Sequence, residues 1–279
     1  MTGPADVTSM PPLRQALTVS SNYMAITSIE KEKIDDLDEL FHLINENFSY
    51  WPAYIYRGHA QSSWKLESTL SRALKNIKYS DKEDLVKDHF YNFCLEIRGR
   101  RGSNPKNLSE NEVWALGQHY GLHTPLLDWT QSPYVALFFA LASKEKSPSG
   151  LRTLWALHST DVQLMSEWYK TNKPTENKWQ IELINPTLDE NSRLVNQNSL
   201  FTKIDIENDI ETWVKKGPNF DWVTLYRIDV SEKIRDKALA ILDLMNINYS
   251  TLFPDLLGSS SHTNIKLEQV DFILKQQGK

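Results

Sequence analysis

Between Glu110 and Leu141 the chain reads ENEVWALGQHYGLHTPLLDWTQSPYVALFFAL, which carries Gln118, His119, Tyr120, Asp128, Trp129 and Thr130 through some of its most apolar sequence. Polar groups withdrawn from water cost a few kcal/mol each unless they are hydrogen-bonded, and an isolated carboxylate costs far more. A fold that buries this stretch must therefore close a polar network or line a ligand pocket. Local signals place the elements. The pattern predicts a helix from Glu110 to Tyr120 with Gly121 as its C-cap, then a short buried strand from Leu126 to Thr130. Ser132 and Pro133 supply an N-cap and a first-turn proline for a helix that is apolar all round (YVALFFALA), hence fully buried.

The flanking sequence supplies a sheet and further helices. Residues 1–25 hold Pro4, Pro11 and Pro12 among small polar residues and read as a loose arm; residues 26–279 read as one domain. Apolar residues Ile34, Leu37, Leu40, Phe41 and Ile44 at helical spacing predict a helix from Glu30 to Phe48. Ala53 to Arg57 (AYIYR) predicts a strand stopped by Gly58. Helices are expected from Leu66 to Leu74, from Lys82 to Arg100 and from Lys233 to Met245, with another beginning near Leu252. Leu151 to His158, Gln180 to Ile184 and Trp222 to Val230 alternate as strands, whereas the sequence from Lys266 onward fits helix or strand. The fold class expected is α+β, a mixed and partly antiparallel sheet with packed helices.

Composition narrows the function. A net charge of −5 gives no global attraction to nucleic acid, although the loop carrying Arg98, Arg100, Arg101 and Lys106 is a local basic patch. Cys94 is the only cysteine, which excludes an internal disulfide and any multi-cysteine metal site and fits a reducing cytoplasm. No run of about 18 apolar residues is available to cross a bilayer. Phosphate-loop, dinucleotide-fold, zinc-protease and serine-hydrolase signatures are absent, and His59, His123 and His158 lack metal-ligand spacing to partners, so no metal is expected.

Several residues can carry chemistry, each with a structural alternative. Arg57, at the end of a buried strand, presents a fork suited to phosphate or carboxylate, or else pairs with an internal acid such as Asp128. Gly58 admits close approach of a ligand or of another backbone. Gln118, His119 and Tyr120 fill the last turn of a helix, where the dipole favours a protonated His119 as acid, base or ligand contact; the structural alternative is a capping His119 with Tyr120 in the core. Asp128, ahead of a helix N-terminus, is a structural anion holding Arg57 or a catalytic base. Thr130 and Ser132 offer hydroxyls for a phosphate, or cap their own helix. Arg193 and Gln197 stand four residues apart and reach one pocket if that segment is helical.

Taken together and in order, YRG (56–58), QHYGLHTPLLDWTQSPYVALFFA (118–140), RLVNQNSLF (193–201) and STLFPDL (250–256) resemble the FRG domain family, named for its aromatic-Arg-Gly motif. The resemblance covers roughly residues 30 to 260. Where the family has Pro-Thr-Arg before its Leu-Leu-Asp-Trp-Thr, this chain has His123-Thr124-Pro125, and Asn198-Ser199 departs from the family's third motif. A more distant similarity is to ADP-ribosyltransferases of the Arg-Ser-Glu type. Their aromatic-Arg-Gly strand corresponds to Arg57-Gly58, and their Ser/Thr strand with its Ala-Phe helix to Thr130, Ser132, Ala136 and Phe139-Ala140. Among Gln197, Glu182 and Glu268, no counterpart of the catalytic Glu is preferred.

The resemblance implies a nucleotide-type pocket, with NAD as cofactor, in an ADP-ribosyltransferase or NAD glycohydrolase-like enzyme of bacterial stress or phage defence. Arg57, Gly58, Gln118, Trp129, Thr130, Ser132, Arg193 and Gln197 would bind the cofactor, and His119, Tyr120 and Asp128 would be catalytic. A protein target is the expected acceptor. The alternative is a non-catalytic module that senses a nucleotide or a protein, and nucleic-acid binding ranks below both.

Overall fold

A computed structural model describes residues 29–48, 53–102, 105, 107–172, 181–185, 197, 199–216 and 225–276. In chain order these form β1 (Ile29–Ile34), α1 (Leu37–Phe48), β2 (Tyr54–His59), α2 (Thr69–Leu74), α3 (Lys82–Glu96), α4 (Glu110–His119), β3 (Leu126–Thr130), α5 (Pro133–Ala142), β4 (Leu151–His158) and α6 (Ser159–Asn172). They continue with β5 (Ile181–Ile184), β6 (Ser199–Ile204), α7 (Ile210–Lys216), β7 (Leu225–Ser231), a 3-10 turn (Glu232–Ile234), α8 (Arg235–Leu244), α9 (Tyr249–Leu252), α10 (Leu256–Glu268) and α11 (Val270–Gln276). The strands join in one mixed sheet of order β1-β7-β4-β2-β3-β6-β5. Only β1 and β7 run parallel; every other neighbouring pair is antiparallel. The fold is α+β, as the sequence predicts.

The central stretch folds by its local signals. Ser109 starts α4 with a reciprocal capping box to Glu112. Gly121 ends it at φ +87°. There the Leu122 N–H reaches Gly117 O and the Gly121 N–H reaches Gln118 O, a Schellman closure. Ser132 accepts from the Val135 N–H, Pro133 opens α5, and α5 lies buried against β2 and β4. No basic residue occupies the last turn of α5. Instead the fully buried Arg152 of β4 donates to Ala140 O, Ser143 O and Glu145 O while pairing with Glu232, and the Arg235 Nε–H reaches Leu141 O. Guanidinium groups from distant segments thus satisfy carbonyls that a helix end leaves without partners.

Elsewhere tertiary pairing overrides the local pattern. Residues 29–34 are an edge strand, not the first turns of a helix: the IEKEKI segment lies in register beside β7, from Ile29↔Leu225 to Ile34↔Val230. Charged residues are usual on a sheet edge, where they discourage pairing with another chain. The Asp36 carboxylate then accepts from the Asp38 and Glu39 N–H groups, so α1 begins only at Leu37. Those bonds to the helix start also hold Asp36 below the usual carboxylate range. Strand β2 runs on through Gly58 to His59, because β4 pairs with it along its whole length. The helices α6 and α7 lie where no element is predicted, and the C-terminal segment resolves as helix. The predicted arm 1–25 lies outside the described residues.

Sheet and helices enclose apolar clusters on both faces. Ile55, Leu127, Trp129, Trp155, Leu157 and Trp213 pack on one side, and Tyr56, Leu154, Ala156 and Ile228 pack with α1, α5 and α8 on the other. Among the described residues no helix is long and apolar enough to cross a membrane.

Candidate functional site

Two adjacent central strands barely pair. Strands β2 and β3 have six and five residues, yet their ladder is the single pair Tyr56↔Thr130. Each is fully paired on its other side, β2 to β4 and β3 to β6, so beyond that one pair the sheet opens. A cleft of about 390 Å³ occupies the opening, lined by Tyr56, Arg57, Gly58, Asp128, Trp129, Thr130, Ala136, Phe139, Gln197, Ser199 and Phe253.

Arg57 spans the gap. Its Nη1 donates to the Asp128 carbonyl at 2.6 Å, a substitute for the missing ladder bond, and lies 3.6 Å from the Asp128 carboxylate. Its Nε donates to His59 Nε2 at 3.1 Å. The Arg57 side chain is 21% exposed and the Asp128 side chain 53%, so the cation sits deeper than its counter-ion. Burial pulls the Arg57 guanidinium down from its ordinary value, and Asp128 works against that. The sequence leaves Asp128 open between anchor and base; the structure shows it anchoring Arg57 mainly through its backbone, with the carboxylate half free to face a ligand.

Gly58 is explained by a neighbouring backbone. A Cβ there would stand 2.0 Å from Ala136 O and 2.5 Å from Ala140 N, because α5 crosses β2 at that residue. Thr130 and Gln197 are joined: the Thr130 hydroxyl donates to Gln197 O at 2.7 Å and accepts from the Ser132 N–H at 3.1 Å. The Gln197 amide donates to Leu252 O at 3.2 Å, and Ser199 Oγ approaches Gln197 Oε1 at 3.4 Å. Gln197 is thereby tied to the end of α9, next to Phe253. Gln197 sits in a turn, and Arg193, with the spacing between the two, lies outside the described residues. Trp129 contributes to the wall, but its indole is buried and donates to Thr202 at 2.8 Å. Burial pushes the Tyr56 phenol up.

Other predicted residues stand apart from this cleft. Gln118 accepts from the Thr124 hydroxyl, and Thr124 in turn meets the Leu126 N–H, so this pair closes the start of β3. His119 packs edge-on against Tyr120, which is 77% exposed. Neither lines the cleft. Ser132 acts as the cap of α5. In the basic loop Arg98 turns back to Leu95 O, and Arg100 lies 3.6 Å from Glu96. Among the described residues no group of three His, Cys, Asp or Glu side chains could hold a metal ion.

Some cleft residues escaped the sequence reading. Phe139 and Phe253 lie in quoted motifs, but only packing brings them into the lining of the cleft. His59, which does not line the cleft but bonds to Arg57 behind it, is read from the sequence only as lacking metal-ligand spacing. Its signal is its place two residues beyond Arg57, on the same strand face once β2 is known to pass through Gly58.

Comparison with known proteins adds one match. The family model of the FRG domain matches residues 52–149, which hold the Arg57 strand, β3 and α5. No curated protein and no solved structure matches significantly.

Proposed function

The chain carries an FRG domain, and on that premise we propose that the opening between β2 and β3 is a nucleotide site that takes NAD, and that the protein is an NAD-consuming transferase or glycohydrolase. The observation that carries this reading is the parting of the two strands around Arg57, with a carboxylate beside it. A dinucleotide presents a pyrophosphate, ribose hydroxyls and flat bases. Arg57 supplies a fork for phosphate oxygens, Asp128 an acceptor for hydroxyls, and Phe139 and Phe253 an apolar wall for a ring.

In such a reaction the bond between nicotinamide and the ribose anomeric carbon breaks, and its electron pair leaves on nicotinamide. The ribose passes through an oxocarbenium-like state, which the Asp128 carboxylate stabilises electrostatically. A water or a protein nucleophile adds to the anomeric carbon and gives its proton to Asp128 or to solvent. His119 and Tyr120 take no part, since they do not reach the cleft.

Calorimetry with NAD tests the binding. The Arg57→Ala protein, folded by circular dichroism, should bind at least about tenfold more weakly, because a charged hydrogen bond contributes about 1.5–3 kcal/mol. Unchanged affinity, or no binding by the wild type, removes the reading. A second reading, a sensor that binds without turnover, draws on one observation: Asp128 is the only acid lining the cleft among the described residues, and it is already paired with Arg57. Nicotinamide release separates the two. The enzyme releases it and slows with Asp128→Asn; the sensor binds NAD and releases none.

A further inference from the structure

Behind Arg57 lies a histidine that does not line the cleft. His59 is 3% exposed, with Nε2 3.1 Å from Arg57 Nε and Nδ1 3.2 Å from Trp155 Nε1. Rings of Trp64 and Trp155 stand edge-on to it, at 6.0 and 6.3 Å between centroids, and Arg227 lies 5.4 Å over the Trp155 ring. Both Arg57 Nε and Trp155 Nε1 are obligate donors. A neutral imidazole has one lone-pair nitrogen, and an imidazolium has none. The ring can therefore accept one of the two bonds when neutral, and neither when protonated. Burial, then the charge of Arg57, push His59 down to about 3, so it stays neutral near pH 7.

We infer that His59 is the positioning residue of this cleft: by accepting the Arg57 Nε–H through Nε2 it sets the roll of the guanidinium and decides which edge meets the ligand. With Nε consumed by His59, the side-on Nε/Nη2 fork is closed. Nη1 is held at the Asp128 carbonyl, and Nη2 donates to nothing among the described residues. The end-on Nη1/Nη2 edge remains for anionic oxygens. The ligand class that fits is one whose phosphate meets a single end-on fork, with its ribose beside Asp128. The tautomer follows from that bond: Nε2 carries the lone pair and the proton sits on Nδ1, so the Trp155 Nε1–H 3.2 Å away is not accepted by the ring.

This assignment rests on the nucleotide reading for its ligand, but its geometric half can be tested without one. A glutamine places its side-chain oxygen near the position of His Nε2, an asparagine near that of Nδ1. His59→Gln should preserve the bond to Arg57, and His59→Asn should lose it while placing its oxygen beside the Trp155 indole instead. In nitrogen-detected NMR of the unliganded protein, the Arg57 Nε–H should exchange slowly in the wild type and in His59→Gln. It should exchange at least about tenfold faster in His59→Asn, with the Trp155 indole resonance kept as the check of folding. Titration with NAD should then show His59→Gln binding within about threefold of wild type and His59→Asn at least about tenfold weaker. Slow exchange in both variants, or fast exchange in both with the Trp155 resonance intact, overturns the positioning role. If the exchange pattern holds but the wild type binds no NAD, the positioning role stands and the nucleotide reading falls.

Discussion

A single hydrogen atom at position 58 decides whether the site can exist. Gly58 lies under α5 so closely that a methyl group would overlap backbone atoms of Ala136 and Ala140. Those atoms belong to a helix packed on the sheet and cannot swing aside as a flexible side chain would. Overpacking a core costs about 1–3 kcal/mol and more where nothing yields, so Gly58→Ala should lose about 3 kcal/mol or more in urea unfolding. A loss under about 1 kcal/mol would mean that α5 lifts off β2 without penalty. The neighbouring arginine adds the complementary lesson. Its identity was legible in the sequence, as was its pairing with Asp128, but the partner atom was not: the main contact is the Asp128 carbonyl, which every residue possesses.

At the level of elements, α5 is the part most open to a decisive experiment. Its start is written in the sequence by Ser132 and Pro133, whereas its end is held by arginines from β4 and α8. Removing one partner of a buried, fully bonded ion pair costs about 3–5 kcal/mol, because the remaining charge and carbonyls stay buried. Arg152→Met, of similar length but without donors, should lower stability by that amount and shift the urea midpoint without changing its slope. A midpoint within experimental error of wild type would show that solvent replaces Arg152 at the helix end. Strands fared unevenly for a related reason. The buried run of β3 and the alternation of β4 are local and visible in the sequence, whereas the edge strand β1 is charged between its two terminal isoleucines and exists because β7 pairs with it.

For the whole molecule, the buried histidine gives a signature in acid. Unfolded, His59 takes a proton near 6.5; folded, burial beside Arg57 delays this to about 3. Between those values the unfolded state binds more protons. The contribution is thus complete above about pH 6.5 and falls with acidification by up to about 1.4 kcal/mol per pH unit. Comparing unfolding free energies of wild type and His59→Gln from pH 7 to 5 isolates this effect, since glutamine does not titrate. The wild type should lose stability relative to the variant as pH drops. Parallel curves would mean that His59 takes its proton in the folded state as readily as in the unfolded chain.

What the chain order by itself determined is whatever depends on neighbours a few residues apart. The caps of α4 and α5, the buried strand LLDWT, and the conflict of polar groups in apolar surroundings belong here, for hydrogen bonds across three or four residues and the period of a strand are local physics. The motifs carrying the family resemblance were legible too, and with them Arg57, Gly58, Asp128, Trp129, Thr130 and Gln197 as residues of one site. Only the tertiary structure decided that β2 and β3 part after one pair, that His59 backs Arg57 while His119 and Tyr120 stand away, and that Phe253 closes the wall. Apart from the Arg57–His59 bond itself, which β4 sets up by pairing with β2 through Gly58, those facts depend on contacts between segments about 50 to 200 residues apart, where pairing of strands and crossing of helices, not local preference, sets the free energy.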